Sequence, residues 1–452
     1  MRDIDAAAPV PVAALVDRAG AAVARSAMRL MGGSYGRRVA VLAGPGHNGA
    51  DGRVAAMRLR ERGVSVVVHE VSRMPRVIAG VDLVIDAGFG SGFRGAWDPP
   101  LVDGARILAV DVPTGLDART GAAHERTLRA DTTVTFAALR PGHLLGQGPE
   151  YCGEVVVADI GLVVEGRPPP ESMCLVERSD VAAWLPVRPR SAHKWSSAVR
   201  VVAGGPGMTG AAHLAAAAAQ RSGAGMVVVS SPGMDTAAPV EVVDERVPSL
   251  DWDAAVLGGL ARFHALVIGP GLGRAEHTGS AVVRTVAGAP VPVVIDGDGL
   301  FALARHPTES FAVLADRRVP TVLTPHDGEF ALLTGALPGA DRIGAVRELA
   351  DRTGSVVLSK GPTTLVTEPG GPVWFVDRGD QRLATAGTGD VLAGILGAFL
   401  AQGVAPLRAA VAAAWVHADA ALGAPRHGFV AGDLLGLLPR ALTTETHSGP
   451  HR

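Results

Sequence analysis

Short, uninterrupted apolar runs recur along this chain between Ala-rich stretches of helical pattern. Arg38-Val39-Ala40-Val41-Leu42, Val64 to Val68, Leu83-Val84-Ile85 and Ile107-Leu108-Ala109-Val110 are the first four. A strand with one wet face alternates polar and apolar residues, whereas a continuous run marks a parallel strand covered on both faces. Between the runs, segments such as Val54 to Arg62 carry their arginines along one face. Strand and helix in strict alternation leave a parallel sheet flanked by helices as the consistent solution, so the class is α/β. The 58 glycines suit many tight strand-to-helix turns, and 48% hydrophobic with 19% charged residues describes a globular chain with ample core.

Charge narrows the functions. Lys plus Arg is 42 against 44 for Asp plus Glu, a net charge of −2. That balance offers no footprint for nucleic acid and no basic surface for anionic lipid. The two cysteines, Cys152 and Cys174, are too few for a four-thiolate metal site. The N-terminus carries acids where a signal peptide has basic residues, and the apolar run Val391 to Ala401 is too short to cross a bilayer. The expectation is a cytoplasmic protein with small-molecule partners, no nucleic acid and no membrane. Ala- and Gly-rich helical faces such as Ala211 to Ala219 suit packing either within a subunit or between copies, which leaves a homo-oligomer open.

A break falls at Glu165-Gly166-Arg167-Pro168-Pro169-Pro170, which fits neither a helix nor a central strand, and more prolines follow from Pro186 to Ser191. The expected organisation is a domain over 1–165, a Pro-rich linker over 166–191 and a second domain over 192–445. The strand rhythm then restarts at Val199 to Ala203, Met226 to Val229, Ala265 to Ile268, Val291 to Ile295, Thr321 to Leu323 and Val356 to Leu358.

In the first domain, the strand at 38–43 runs into Gly44-Pro45-Gly46-His47-Asn48-Gly49-Ala50-Asp51-Gly52. Glycines admit a ligand close to the backbone, and a following helix offers free N–H groups. Two later strand ends carry Asp86 before a Gly-rich loop, and Asp111 in Val110-Asp111-Val112-Pro113-Thr114-Gly115. A lone Asp at such a place is ordinarily a turn or capping residue. Polar groups at three strand ends point instead to a ligand site, since ligands bind at the carboxyl edge of parallel sheets. Asn48, Asp86 and Thr114 offer oxygen ligands only, the donor set of a hard cation.

These strings resemble the NAD(P)H-hydrate epimerase domain, whose motifs run G-x-G-N-N-G-G-D-G, D-x-x-x-G-x-G and V-D-x-P-[ST]-G. The resemblance extends from Leu15-Val16-Asp17-Arg18-Ala19-Gly20 to Asp159-Ile160-Gly161. It implies a Rossmann-like three-layer α/β/α sandwich and a potassium ion on Asn48, Asp86 and Thr114. Substrate would lie across His47, Asn48, Gly49, Ala50 and Asp51 and across Gly90, Ser91, Gly92, Phe93, Arg94, Gly95 and Ala96, with Asp111 as acid–base group. Two positions depart from the motif: His47 stands for Asn and Ala50 for Gly. A Cβ at Ala50 would cost roughly 1–2 kcal/mol if the turn there were left-handed.

The second domain has no G-x-x-x-x-G-K-[ST], so P-loop chemistry is not expected. Instead Thr385-Ala386-Gly387-Thr388-Gly389-Asp390 precedes an apolar helix. Consecutive N–H groups at a helix start form an anion hole, and a carboxylate inside one suits deprotonation of a hydroxyl near a phosphate. Other pieces fall at strand ends: Thr324-Pro325-His326-Asp327-Gly328-Glu329-Phe330, Ser359-Lys360-Gly361-Pro362-Thr363-Thr364, Gly269-Pro270-Gly271-Leu272-Gly273 and Asp296-Gly297-Asp298-Gly299. Together they resemble the ADP- or ATP-dependent NAD(P)H-hydrate dehydratases of the ribokinase-like superfamily, from Ala192-His193-Lys194 to His417-Ala418-Asp419. The resemblance implies a ribokinase-like α/β domain with Asp390 as catalytic base. Ala211, Gly273 and His326 would contact substrate, and Lys360, Gly361, Pro362, Thr363, Thr364 and Gly389 the nucleotide. ADP or ATP would be the co-substrate, with Mg2+.

The combined expectation is repair of hydrated NADH and NADPH, by epimerisation of R and S hydrates and ADP-dependent dehydration of the S form to NAD(P)H, AMP and phosphate. The alternative is an ATP-dependent kinase of a small hydroxylated metabolite with a non-catalytic N-terminal binding domain.

Overall fold

The computed structural model describes residues 10–93, 95, 98–162, 171–235 and 238–443. The chain divides into two compact units, residues 1–167 and 168–452. Among the described residues no helix is long and apolar enough to cross a membrane.

The first unit is built on six strands: β1 (Arg38–Ala43), β2 (Ser65–Glu70), β3 (Leu83–Ala87), β4 (Arg106–Val110), β5 (Thr132–Phe136) and β6 (Glu154–Ala158). They pair in the order β2-β1-β3-β4-β5-β6, every pair parallel. The continuous apolar run of β1 is used on both sides. Val39, Val41 and Ala43 join one core cluster, while Ala40 and Leu42 join another on the opposite face. Helix α1 (Val12–Met31) packs on the first of these faces through Leu15, Ala19, Val23 and Ala27. Helix α2 (His47–Arg60) lies close against it, because Gly20 has no side chain to strike Val54. Strand order reverses between β1 and β3. Their carboxyl ends meet there, with Gly44 N–H donating to Ala87 at 3.0 Å.

The second unit carries a ten-stranded sheet. Its strands are β7 (Met173–Leu175), β8 (Ala198–Val202), β9 (Met226–Ser230), β10 (Val243–Asp244), β11 (Ala265–Ile268), β12 (Val293–Ile295), β13 (Thr321–Leu323), β14 (Val356–Ser359), β15 (Thr364–Thr367) and β16 (Val373–Val376). The order is β10-β9-β8-β11-β12-β13-β14-β15-β16-β7, with a switch point between β8 and β11. Pairing is parallel from β10 to β14, then antiparallel across β15 and β16, and β7 joins the edge parallel to β16. Thus residues 173–175, inside the segment expected as linker, complete this sheet, and Arg178–Trp184 beside them is helical.

Helices α3 (Thr209–Arg221), α4 (Asp298–Ala304), α5 (Asp327–Thr334), α6 (Thr388–Ala401), α7 (Pro406–Leu422) and α8 (Ala431–Thr443) matter most for the site. Helix α6 is buried along almost its whole length, and two glycines let it sit so deep. A Cβ on Gly394 would lie 2.1 Å from the Ala215 carbonyl, and one on Gly397 2.4 Å from Val267. The small residues of α3 are therefore spent inside the unit, against α6. One charge interrupts the β8 run: Arg200 is fully buried, its guanidinium satisfied by Glu245 at 2.7 Å and Ser230 at 2.9 Å.

Candidate active sites

The switch point of the first unit opens into a cavity of about 470 Å³. His47, Asn48, Asp51, Gly90, Ser91, Gly92, Phe93 and Asp111 line it, and α1 supplies an apolar wall of Val12, Leu15, Val16 and Ala19. The glycine string is not a loop throughout: helix α2 begins at His47, so His47 to Asp51 form its first turn. Ala50 accordingly has ordinary right-handed backbone, and the strain considered for a left-handed turn does not arise. Gly49 is different, since a Cβ there would fall 1.9 Å from the Gly44 carbonyl. Gly90 is equally confined, a Cβ lying 2.8 Å from Asp111 Oδ2 and 3.3 Å from Asn48 Oδ1.

Asp111 is held from several sides. It has a left-handed φ of 66°, rare for a residue with a Cβ. Its carbonyl accepts from His143 Nε2 at 2.8 Å, while His143 Nδ1 accepts the Arg140 N–H at 3.0 Å, which assigns the proton to Nε2. Its carboxylate accepts from Ser91 N–H at 2.8 Å and from Arg140, whose Nη2 lies 2.9 Å away. Burial pushes this carboxyl up, but the Arg140 guanidinium and the Ser91 hydrogen bonds outweigh it, and the group ends below the usual carboxylate range. Asp51 goes the other way: burial and then the Asp111 charge push its carboxyl up to about 8.

Asp86 and Thr114 form a pair beneath the cavity. Thr114 donates its N–H to Oδ2 at 2.8 Å and its hydroxyl to Oδ1 at 2.7 Å, and Gly88 N–H adds a bond of 3.2 Å. Asp86 is wholly buried, and burial raises its carboxyl against those three neutral donors.

In the second unit the site gathers at the carboxyl ends of β11 to β14 and the start of α6. Gly387, at φ 92°, turns the chain into α6, which places Asp390 in the first helical turn. Its carboxyl is pushed up to about 7 by burial, by the charge of Asp296 and, more weakly, by Asp298 and Glu329, while Lys360 pulls it down. A base poised near neutrality is what general base catalysis needs. Lys360 is not a free phosphate ligand. Its Nζ lies 2.7 Å from Asp296 Oδ1 and 3.7 Å from Glu329 Oε2. Thr324 hydroxyl donates to the same Asp296 oxygen at 2.7 Å. A Cβ on Gly389 would come to 3.5 Å from Lys360 Nζ and 3.6 Å from Asp296, so this backbone faces the charge cluster. Asp298 accepts from Gly273 N–H at 2.8 Å and from Arg274 at 2.9 Å, fixing the 269–273 turn. Gly271 of that turn packs on Ala211. His326 caps α5, its Nδ1 accepting from Gly328 at 3.0 Å and Glu329 at 3.2 Å.

Two family models match this chain, one described as NAD(P)H-hydrate dehydratase over residues 199–443, the other as YjeF-related protein N-terminus over 12–79 and 69–142. The bifunctional NAD(P)H-hydrate repair enzyme of Mycobacterium leprae is 37% identical over 93% of this chain and 92% of its own length. The chain belongs to the bifunctional NAD(P)H-hydrate repair enzymes. The Escherichia coli member is 32% identical over 91% of this chain and 86% of its own. A ribokinase-like superfamily protein from Enterococcus faecalis, 20% identical, superposes with a TM-score of 0.52 over 62% of this chain and 98% of that one, which shows the fold of the second unit.

In this repair-enzyme chain, most residues singled out from sequence fall at the two sites. Arg94 and Ala96 lie outside the described residues, and Gly49, Ala50 and Gly95 do not line the cavity. Lys360, Gly361, Pro362 and Thr363 form the turn that leads from β14 into β15 at Thr364. Sequence reading missed Arg140 and His143, whose signal was a basic pair flanking Pro141-Gly142 just after a strand. It also missed His417 as a site neighbour: burial pushes its imidazole down to about 4, with the Thr388 backbone bonded to it and Lys360 nearby.

Proposed function

We propose that the chain repairs hydrated NADH and NADPH, the first unit interconverting the R and S hydrates and the second dehydrating the S form with ADP. The observation that carries this reading is Asp390. A half-buried carboxylate, its pKa pushed up to about 7, sits in the first turn of α6, where a helix start offers free N–H groups to an anion. The ring hydroxyl loses its proton to Asp390 and attacks the terminal phosphate of ADP. The ring nitrogen lone pair then expels that phosphate with the C–O bonding pair, and the neighbouring ring carbon gives up a proton to the departing phosphate or solvent, which restores the ring double bond and leaves AMP and phosphate. Gly389 and the Lys360 to Thr364 turn border the nucleotide. Lys360, held by Asp296 and Glu329, places its positive charge beside the transferring phosphate. Asp296 and Glu329 are two oxygen donors, the usual protein share of a Mg2+ site completed by nucleotide phosphates. Mg2+ would neutralise phosphate charge. Given the purified S hydrate, the chain should regenerate reduced-nicotinamide absorbance with ADP and release one phosphate per ring restored. Absence of nucleotide-dependent recovery would contradict the dehydratase reading.

In the first unit, Asn48, Asp86 and Thr114 would hold potassium. Two features fit it. The buried Asp86 carboxyl is bonded by neutral donors alone, and the buried Asn48 amide nitrogen has no hydrogen-bond partner, a position where a turned amide presents oxygen. Potassium would fix the loop after β3 against the end of β4. Exchanging potassium for tetramethylammonium should lower both the interconversion rate and the melting temperature of the first unit. Asp86→Asn should abolish both responses; a wild-type chain indifferent to the cation would contradict the assignment.

A further inference from the structure

We propose that epimerisation uses two carboxyl groups, Asp51 as the proton-bearing partner of ionised Asp111, with Arg140 and His143 positioning Asp111 alone. The inference rests on the epimerase reading of the first unit and adds a second catalytic residue to it. Both carboxyls line the same cavity. Asp51 enters from α2, which follows β1, and Asp111 from the end of β4, with β3 between those strands. The cavity they share, about 470 Å³, has room for one ring.

What separates them is their company. Asp111 receives the Arg140 guanidinium at 2.9 Å and the Ser91 N–H at 2.8 Å, and His143 fixes its strained backbone from behind. None of those donors turns to Asp51. Other charged groups near Asp51 are committed elsewhere: on α1, Asp17 pairs with Arg58 and Arg18 bonds the Ile160 carbonyl, and on α2, Arg53 pairs with Glu70. His47 lines the cavity one turn earlier on α2. Burial and the neighbouring Asp111 charge then keep the Asp51 proton in place at neutral pH. Two carboxyls whose surroundings drive them apart are the pattern of an acid and base pair.

The chemistry balances with these two groups and water. In the hydrate, the hydroxyl sits on the carbon beside the ring nitrogen. The Asp51 proton moves to that oxygen as the C–O bond breaks, and the bonding pair departs with water. The nitrogen lone pair forms the C=N bond of a ring iminium. Water adds to the other face, forming the new C–O bond, and its proton passes to Asp111. The reverse reaction runs with the roles exchanged, and solvent returns the proton from Asp111 to Asp51.

The test is the R-to-S rate of the full chain without nucleotide, resolved by chromatography from about pH 5 to about pH 10. The wild type should be level on the acid side, where Asp111 stays ionised, and fall as pH rises through about 8, where Asp51 loses its proton. Asp51→Asn should lower the rate about 10²–10⁴-fold and remove the alkaline limb, and Asp51→Glu should restore part of both. Thermal unfolding checks the fold, and Asp51→Asn should keep its melting temperature because the carboxyl it replaces is already uncharged. An Asp51→Asn rate within about threefold of wild type, or an alkaline limb that survives, would overturn the pair. A wild-type chain that does not exceed buffer would overturn the epimerase reading itself.

Discussion

Asp390→Asn is expected to lower nucleotide-dependent dehydration by about 10²–10⁴-fold, the usual worth of a general base. The change is nearly isosteric at a position whose neighbours are charged side chains and glycine backbone, so the loss is chemical. In the wild type the rate should fall on the acid side of about pH 7, where burial and Asp296 hold the Asp390 proton. The residual rate of Asp390→Asn should lack that limb. Stability gives an independent sign. The folded chain keeps this proton to about 7 against an ordinary carboxyl value of 3.8, so the wild type loses stability as pH rises through that window. Asp390→Asn has no such loss and should melt no lower than wild type at mildly alkaline pH. Near-normal turnover in Asp390→Asn would remove the residue from its role.

Lys360→Met should strongly destabilise the second unit. Lys360 is the cation against the buried Asp296, 2.7 Å away, and it also faces Glu329. Removing one partner of a buried pair costs about 3–5 kcal/mol, because the other charge is left uncompensated. The cost should shrink as pH falls, since burial already raises the Glu329 carboxyl and protonation relieves its charge. Dehydration should disappear with it. Lys360 is also what holds the Asp390 carboxyl down, so any residual activity should shift to higher pH. Denaturant unfolding followed on the second unit, with the pH profile of residual turnover, checks both. A stability within about 1 kcal/mol of wild type, the size of an ordinary hydrogen bond, would show that the cluster is not the buried pair described.

The strands that carry the sites were legible because each is apolar on both faces. β1, β3, β4 and β11 to β14 all read as continuous runs, and the glycine and acid strings fall at their carboxyl ends. β5, Thr132–Phe136, was harder: three threonines hide a strand whose burial is satisfied by bonds such as Thr133 hydroxyl to the Cys152 carbonyl at 2.7 Å. Because β5 was not seen, neither were Arg140 and His143, which reach Asp111 only when the ends of β4 and β5 lie side by side. A glycine-rich string was read as a turn around Ala50, but Gly49 serves close approach to Gly44 inside a helix that has already begun. The motif resemblance places Lys360 at the nucleotide, with no sign of a carboxylate partner. Its pairing with Asp296 depends on β12 and β14 lying on either side of β13, an arrangement fixed by sheet order and invisible in local sequence.

Supplying the intact chain with purified R hydrate and ADP tests the central claim most directly, because recovery then requires both units. Reduced-nicotinamide absorbance should return to completion faster than the hydrates interconvert in buffer, with one phosphate released per ring restored. No nucleotide-dependent recovery, or a stable phosphorylated product in place of free phosphate, would contradict the repair function.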